Sequence, residues 1–154
     1  MNKKLTVKAA CEVARIHRDR FNEHVAAGRF PCAPTTIPGR TRTFDSDDMI
    51  ALCLFSELIE DEVSPSRSGA IACEVARVAR QNPNSPTISL LEDYFYPSMM
   101  NAYPSEKIPN PSEWGSVHFN GSRIRKVTTF NISNIRERVS KYIEEQLSII
   151  GEAD

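Results

Sequence analysis

Apolar residues mark out the elements of this chain before any other property is considered. Val7, Ala10, Cys11 and Ala14 fall at i, i+3, i+4 and i+7, one face of a helix, and Thr6 stands where an N-cap belongs. Arg15-Ile16-His17 breaks that face, with Ile16 placed to fill the core at a turn and His17 placed to cap the next helix. That second helix is predicted over 18–27, with Phe21 and Val25 one turn apart on its inner face and Gly28 as its stop. Arg18, Asp19, Arg20, Asn22 and His24 are left to face elsewhere. Phe30-Pro31 is an apolar anchor followed by a break. Thr35-Thr36-Ile37, Pro38-Gly39 and Arg40-Thr41-Arg42-Thr43-Phe44 predict a short two-stranded wing. In it Arg40 and Arg42 share one face and Phe44 returns to the core.

Asp45 with Asp48 predicts a capped helix to about residue 60, its apolar face made by Met49, Leu52, Cys53, Phe55, Leu58 and Ile59. Ser64-Pro65 is a cap followed by a first-turn proline and opens an Ala-rich helix over 65–81. The hexamer Ala72-Cys73-Glu74-Val75-Ala76-Arg77 repeats residues 10–15, but without a following turn and helix it reads as coincidence. The loop at 81–87 is the best boundary, giving domains 1–82 and 83–154. Beyond it, residues 87–91 and 94–96 are strand-like, 97–114 reads as loop, and Asn120-Gly121 marks a hairpin prolonged through residue 130. Ile132, Ile135, Val139, Tyr142 and Ile149 predict a closing helix over 132–149, its stripe wide enough for a core-facing role, with a dimer helix as the functional alternative. The fold class is mainly α with a small β part (α+β). It comprises a winged helix-turn-helix N-terminal domain, then a small antiparallel sheet with a C-terminal helix.

Charge sharpens this picture. The net charge of −1 over 154 residues conceals a strong division: residues 1–44 hold nine Lys/Arg against three Asp/Glu, while 45–65 hold seven acidic residues and no basic one. A basic head is the electrostatic footprint of a nucleic-acid binder. The acidic end of the third helix is expected to point away from it. On the second helix, Arg18, Arg20 and Asn22 are the candidates for base contact, since arginine pairs with guanine and asparagine with adenine in the major groove. His17, His24, Arg40, Thr41 and Arg42 are the candidates for backbone contact, which supplies affinity and register rather than sequence information.

Residues 6–28 resemble the DNA-binding head of the MerR family without a gap. Thr6-Val7 matches its opening, with Cys11 in the small-residue place; Arg15-Ile16 matches its Gly-Val turn, His17 its Ser cap, and Gly28 its helix-ending glycine. Arg29-Phe30-Pro31 is similar to its Leu-Leu-Pro, and 40–52 to its wing and the helix start after it. Arg15, Asn22, Glu23 and His24 depart from the family's pattern. The resemblance covers about the first 80 residues and implies a winged helix-turn-helix. Excisionases and the small subunits of phage DNA-packaging terminases carry similar heads.

The expected function is a sequence-specific DNA-binding transcriptional regulator. It would bind double-stranded DNA as a homodimer on a two-fold symmetric site, pairing through the 132–149 helix. The alternative is an architectural or DNA-packaging winged-helix protein. No nucleotide-binding loop, H-E-x-x-H or G-x-S-x-G motif occurs, so no enzyme and no cofactor are expected. His17, His24 and His118 lack metal-ligand spacing, and no catalytic residue is assigned. Cys11, Cys32, Cys53 and Cys73 are spread singly; Cys11, Cys53 and Cys73 lie in apolar helical segments and are expected as buried thiols. Tyr94, Phe95, Tyr96, Trp114 and Phe119 are expected to fill the core of the sheet, an effector pocket being the other use for them. Without a membrane-length apolar run or a signal-peptide core, the cytoplasm is the expected location.

Overall fold

The computed structural model describes residues 4–96 and 98–150, the last four of these as backbone alone. The chain forms an α+β fold of two compact units, residues 1–73 with 134–154, and residues 74–133. The units thus divide inside the fourth helix, rather than in the loop at 81–87.

In the first unit, strand β1 (Leu5–Thr6) leads directly into helix α1 (Val7–Ala14). The Thr6 hydroxyl caps α1 by accepting from the Ala9 N–H. Ala10, Cys11 and Ala14 are buried, as their spacing predicts. Helix α1 ends on Arg15, which takes the left-handed conformation at φ 58°. The Arg15 N–H bonds to the Glu12 carbonyl and the Ile16 N–H to the Cys11 carbonyl. This is the paired ending that a glycine usually completes, and an L-residue there is strained by about 1–2 kcal/mol. Helix α2 (Arg18–Ala26) comes next, capped by the His17 side chain, and the chain leaves it through Gly28 at φ 74°.

Strand β2 (Thr43–Phe44) precedes helix α3 (Ser46–Glu60), whose capping box joins Asp45 and Asp48 in both directions. Every residue from Met49 to Ser56 is buried, so α3 is the central helix of this unit. Phe21, Phe30, Phe44 and Phe55 converge on it. Their rings stand at 6.0 Å (Phe21–Phe30), 5.8 Å (Phe21–Phe44) and 4.8 Å (Phe30–Phe55).

The expected wing hairpin does not form. Thr43–Phe44 pairs antiparallel with Leu5–Thr6, not with the threonines at 35–36. Residues 33–37 carry no regular structure. The loop turns through the Arg40 N–H bond to the Ile37 carbonyl, with Gly39 at φ 80°, and Arg42 closes its base by donating to the Pro34 carbonyl. One edge of Thr43–Phe44 cannot be claimed by a nearby arm once the chain's first strand has taken it.

Helix α4 (Pro65–Gln81) begins in this unit. A side chain at Gly69 would place its Cβ 1.8 Å from the Arg29 carbonyl oxygen, so α4 lies directly against the backbone that leaves α2. One turn later Cys73 forms a disulfide with Cys32. This corrects the expectation of a free buried thiol at Cys73; Cys11 and Cys53 are free and buried, as predicted. From Asn134 onward, helix α5 (Ile132–Ile150) returns to the first unit, where the Tyr142 hydroxyl donates to Glu12 at 3.0 Å and Arg138 reaches Glu57 at 3.5 Å.

The second unit is built on a three-stranded antiparallel sheet in the order β4-β3-β5. Strand β3 (Thr87–Asp93) lies between β4 (Met100–Pro104) and β5 (Ile124–Asn131). Ile88 pairs with Pro104 and Phe130; Leu90 pairs with Ala102 and Thr128. The buried polar groups of β3 are satisfied: Ser89 meets the Ser105 and Thr129 hydroxyls at 2.8 Å each, and Glu92 meets Arg125 at 3.1 Å and Lys126 at 3.2 Å. Glu74 of α4 accepts from the Ala102 N–H at 2.9 Å.

Two expectations fail here. Residues 97–114 are not loop throughout; they hold β4 and two short 3-10 turns, Ser105–Lys107 and Pro111–Glu113. Asn120-Gly121 does make the tight turn, at φ 48° and 81°, but only Phe119 and Ser122 bridge across it. The strand after it pairs with β3 instead, a partner that local turn chemistry does not specify.

Candidate nucleic-acid interface

The start of α2 is held firmly. The His17 Nδ1 accepts from the Asp19 N–H at 3.3 Å, and the Phe21 N–H bonds to the His17 carbonyl at 2.9 Å. Phe21, fully buried between Phe30 and Phe44, fixes the rotation of the helix about its axis. That rotation leaves His17, Arg18, Arg20 and Asn22 exposed. Neither Arg18 nor Arg20 has an ion pair among the described residues. Arg40 and Thr41 are likewise exposed, on the loop.

Two candidates are placed otherwise. His24 is buried, its ring edge-on to Phe55 at 5.2 Å, and its Nδ1 accepts from the Arg29 Nε at 2.9 Å. It is a core residue rather than a surface contact, because the helix turns Phe21 inward and the position three residues on shares that face. Arg42 is half-buried and spent on the Pro34 carbonyl, so it shapes the loop. Removing it would alter the loop as well as the charge.

Burial holds the His24 imidazole below its ordinary pKa, with Arg29 and Arg20 adding to the shift and Glu23 opposing it. Below the usual histidine value near 6.5, the unfolded chain therefore takes up the proton more readily than the folded one. Stability from His24 is full above that value and falls as the pH drops towards the folded pKa. Urea unfolding at pH 7 and pH 5 should show a loss on acidification that a His24→Leu chain lacks; equal losses in both would remove His24 as the cause.

Two residues near α2 carry no signal of their role in the sequence. Arg15 is exposed at the left-handed turn and shares a shallow pocket with Ile16, His17 and Arg20. Glu60 lines the same pocket. The acidic end of α3 therefore does not point away from the basic surface, contrary to expectation, but flanks it. The sequence offers only the distance of one helix length between residues 45 and 60, which says nothing of direction.

The two free thiols lie in the core. Burial pushes the Cys11 thiol up to about 11, against a lowering by Arg18, and burial likewise carries Cys53 to about 11, so both stay protonated. Among the described residues no group of His, Cys, Asp and Glu could hold a metal ion. No helix among them is long and apolar enough to cross a membrane. The chain matches no protein-family model and no curated protein.

Proposed function

We propose that the first unit binds double-stranded DNA through α2 and the loop carrying Arg40, and that the protein acts as a sequence-specific transcriptional regulator. The observation that carries this reading is the pair of exposed arginines, Arg18 and Arg20, without ion partners among the described residues and beside Asn22 on the first turns of a capped helix. Rigid presentation of such groups suits base-edge readout. Arg15 supports it further: it takes the left-handed backbone where the similar MerR heads have their turn glycine. Arg40 and Thr41 supply phosphate contacts.

A homodimer through α5 is the harder part of the expectation. Ile132, Ile135 and Val139 are already buried within the chain, so a dimer would use the helix's remaining face. That commitment favours, as the second reading, an architectural or DNA-packaging protein that needs no two-fold site.

The test is selection of bound duplexes from a random pool, then gel shifts. Arg18→Ala and Arg20→Ala should each lose roughly tenfold in affinity for the selected site and relax its preference. Arg40→Ala should weaken all duplexes alike and lower the salt slope by about one. Glu60→Gln should tighten binding, since it removes an anion beside Arg20. If the four chains bind as wild type does, the docking of α2 is wrong.

A further inference from the structure

Of the five exposed large apolar side chains in the described structure, four lie in one short stretch after β3: Tyr94, Phe95, Tyr96 and Met99, 59%, 61%, 64% and 49% exposed. Contiguous exposure of this kind is unusual unless it meets something. It is not the fraying of a loose loop. The buried Asp93 carboxylate accepts from the Phe95 and Tyr96 N–H groups at 2.8 Å each, and from the Arg123 N–H at 3.1 Å. Burial alone would raise that carboxyl's pKa. The N–H groups of Tyr96, Phe95 and Arg123, with the Ser122 hydroxyl, outweigh burial and hold it below the usual carboxylate range. The Met99 N–H bonds to the Tyr96 carbonyl at 2.8 Å, and the Tyr94 N–H bonds to the Arg123 carbonyl at 2.7 Å. The backbone that carries the three aromatic rings is therefore hydrogen-bonded at each of Tyr94, Phe95 and Tyr96.

The chain on either side of them is poor in carboxylates. No acidic residue occurs between Asp93 and Glu106, or between Glu113 and Glu137. The two carboxylates at the end of β3 are withdrawn: Asp93 onto backbone N–H groups, and Glu92 between Arg125 and Lys126. Two cations share the one Glu92 carboxylate, and the guanidinium of the exposed Arg123 donates to the Gly115 carbonyl. Beside the tip, β5 exposes Arg125, Lys126, Thr128 and Thr129 in succession.

We infer that this tip and the strand beside it bind single-stranded nucleic acid, with bases stacked on Tyr94, Phe95 and Tyr96 and the phosphates running along Arg123, Arg125 and Lys126. Exposed aromatic faces beside a cationic strand are what a sequence-tolerant single-strand site requires. A duplex hides its base faces and offers the rings nothing to stack on. The site belongs to the second unit and stands independently of the reading given for α2.

The experiment uses the full chain and a labelled thymine oligonucleotide of about 15 nucleotides, read by fluorescence anisotropy. Binding should be salt-sensitive, and Tyr94→Ala, Phe95→Ala or Tyr96→Ala should weaken it roughly tenfold each, with unchanged thermal unfolding. An abasic strand of equal length should bind the wild type more weakly than the intact strand binds any single variant, because it forfeits every stacking contact at once. A chain carrying Arg18→Ala, Arg20→Ala and Arg40→Ala should keep its oligonucleotide binding, which separates this site from the one at α2. Absence of binding, equal binding of the abasic strand, or tip variants that bind like wild type would each overturn the inference. So would tip variants that change only self-association in sedimentation velocity, or only adsorption to phosphatidylserine vesicles.

Discussion

Gly69→Ala should destabilise the first unit by about 3 kcal/mol, the upper range for forcing an extra methyl group into packed structure. On a free helix the same change would stabilise by about 1 kcal/mol, because glycine is a poor helix former. The sign reverses here because the new Cβ would stand 1.8 Å from the Arg29 carbonyl oxygen, with the Arg29 carbonyl carbon at 2.9 Å. Backbone cannot swing aside as the end of a flexible side chain could. Either α4 lifts or the chain leaving α2 shifts, and the second option pulls on Phe30, which is buried against Phe21 and Phe55. Urea unfolding decides the matter, with Ala70→Gly as the comparison, since Ala70 is exposed on the same helix. A Gly69→Ala chain as stable as wild type would mean that α4 and Arg29 do not approach so closely.

The second large effect belongs to the Cys32–Cys73 disulfide. It joins residues 41 apart, and closing a loop of that length in the unfolded chain corresponds to about 4 kcal/mol in the chain-entropy picture. Reduction should therefore lower the unfolding free energy by about 2–4 kcal/mol. Cys32→Ser should do the same and make the protein indifferent to reductant. Thiol titration of the denatured chain gives a separate check: of the four cysteines, Cys11 and Cys53 alone should react before reduction, and all four after it. Four reactive thiols in the unreduced protein would contradict the bridge.

Which features are legible in the sequence depends on the distance over which each is decided. Thr6, His17 and Asp45 cap their helices as predicted, because a cap bonds to a backbone group two or three residues away. The bounds of α4 match the 65–81 reading, since Ser64-Pro65 sets the start locally. The partner of Thr43–Phe44 is not legible because it lies at Leu5–Thr6, far along the chain, while a nearer candidate arm stands at 35–37. The partner of Cys32 is hidden for the same reason. Tyr94, Phe95 and Tyr96 look like strand and core by composition, and it is Asp93, an ordinary acidic residue in sequence, that bends them outward. At the candidate interface, Arg18, Arg20, Asn22 and Arg40 are exposed as expected, but His24 and Arg42 are drawn into packing and bracing. A helical wheel places a residue on an arc yet does not show how deep the neighbouring element sits.

The return of α5 to the first unit bears on how this protein is made. Its Tyr142 and Arg138 bond to Glu12 and Glu57, so the unit that starts the chain is finished only by residues beyond 134. During synthesis α1 and α3 emerge early and wait for their last neighbour, while the sheet of residues 74–133 can form in the interval. A fragment ended at residue 82 would lack that neighbour altogether. It would be a truncated head, not a separable module, and transplanting residues 5–80 alone onto another protein should carry over less than the fold they display here.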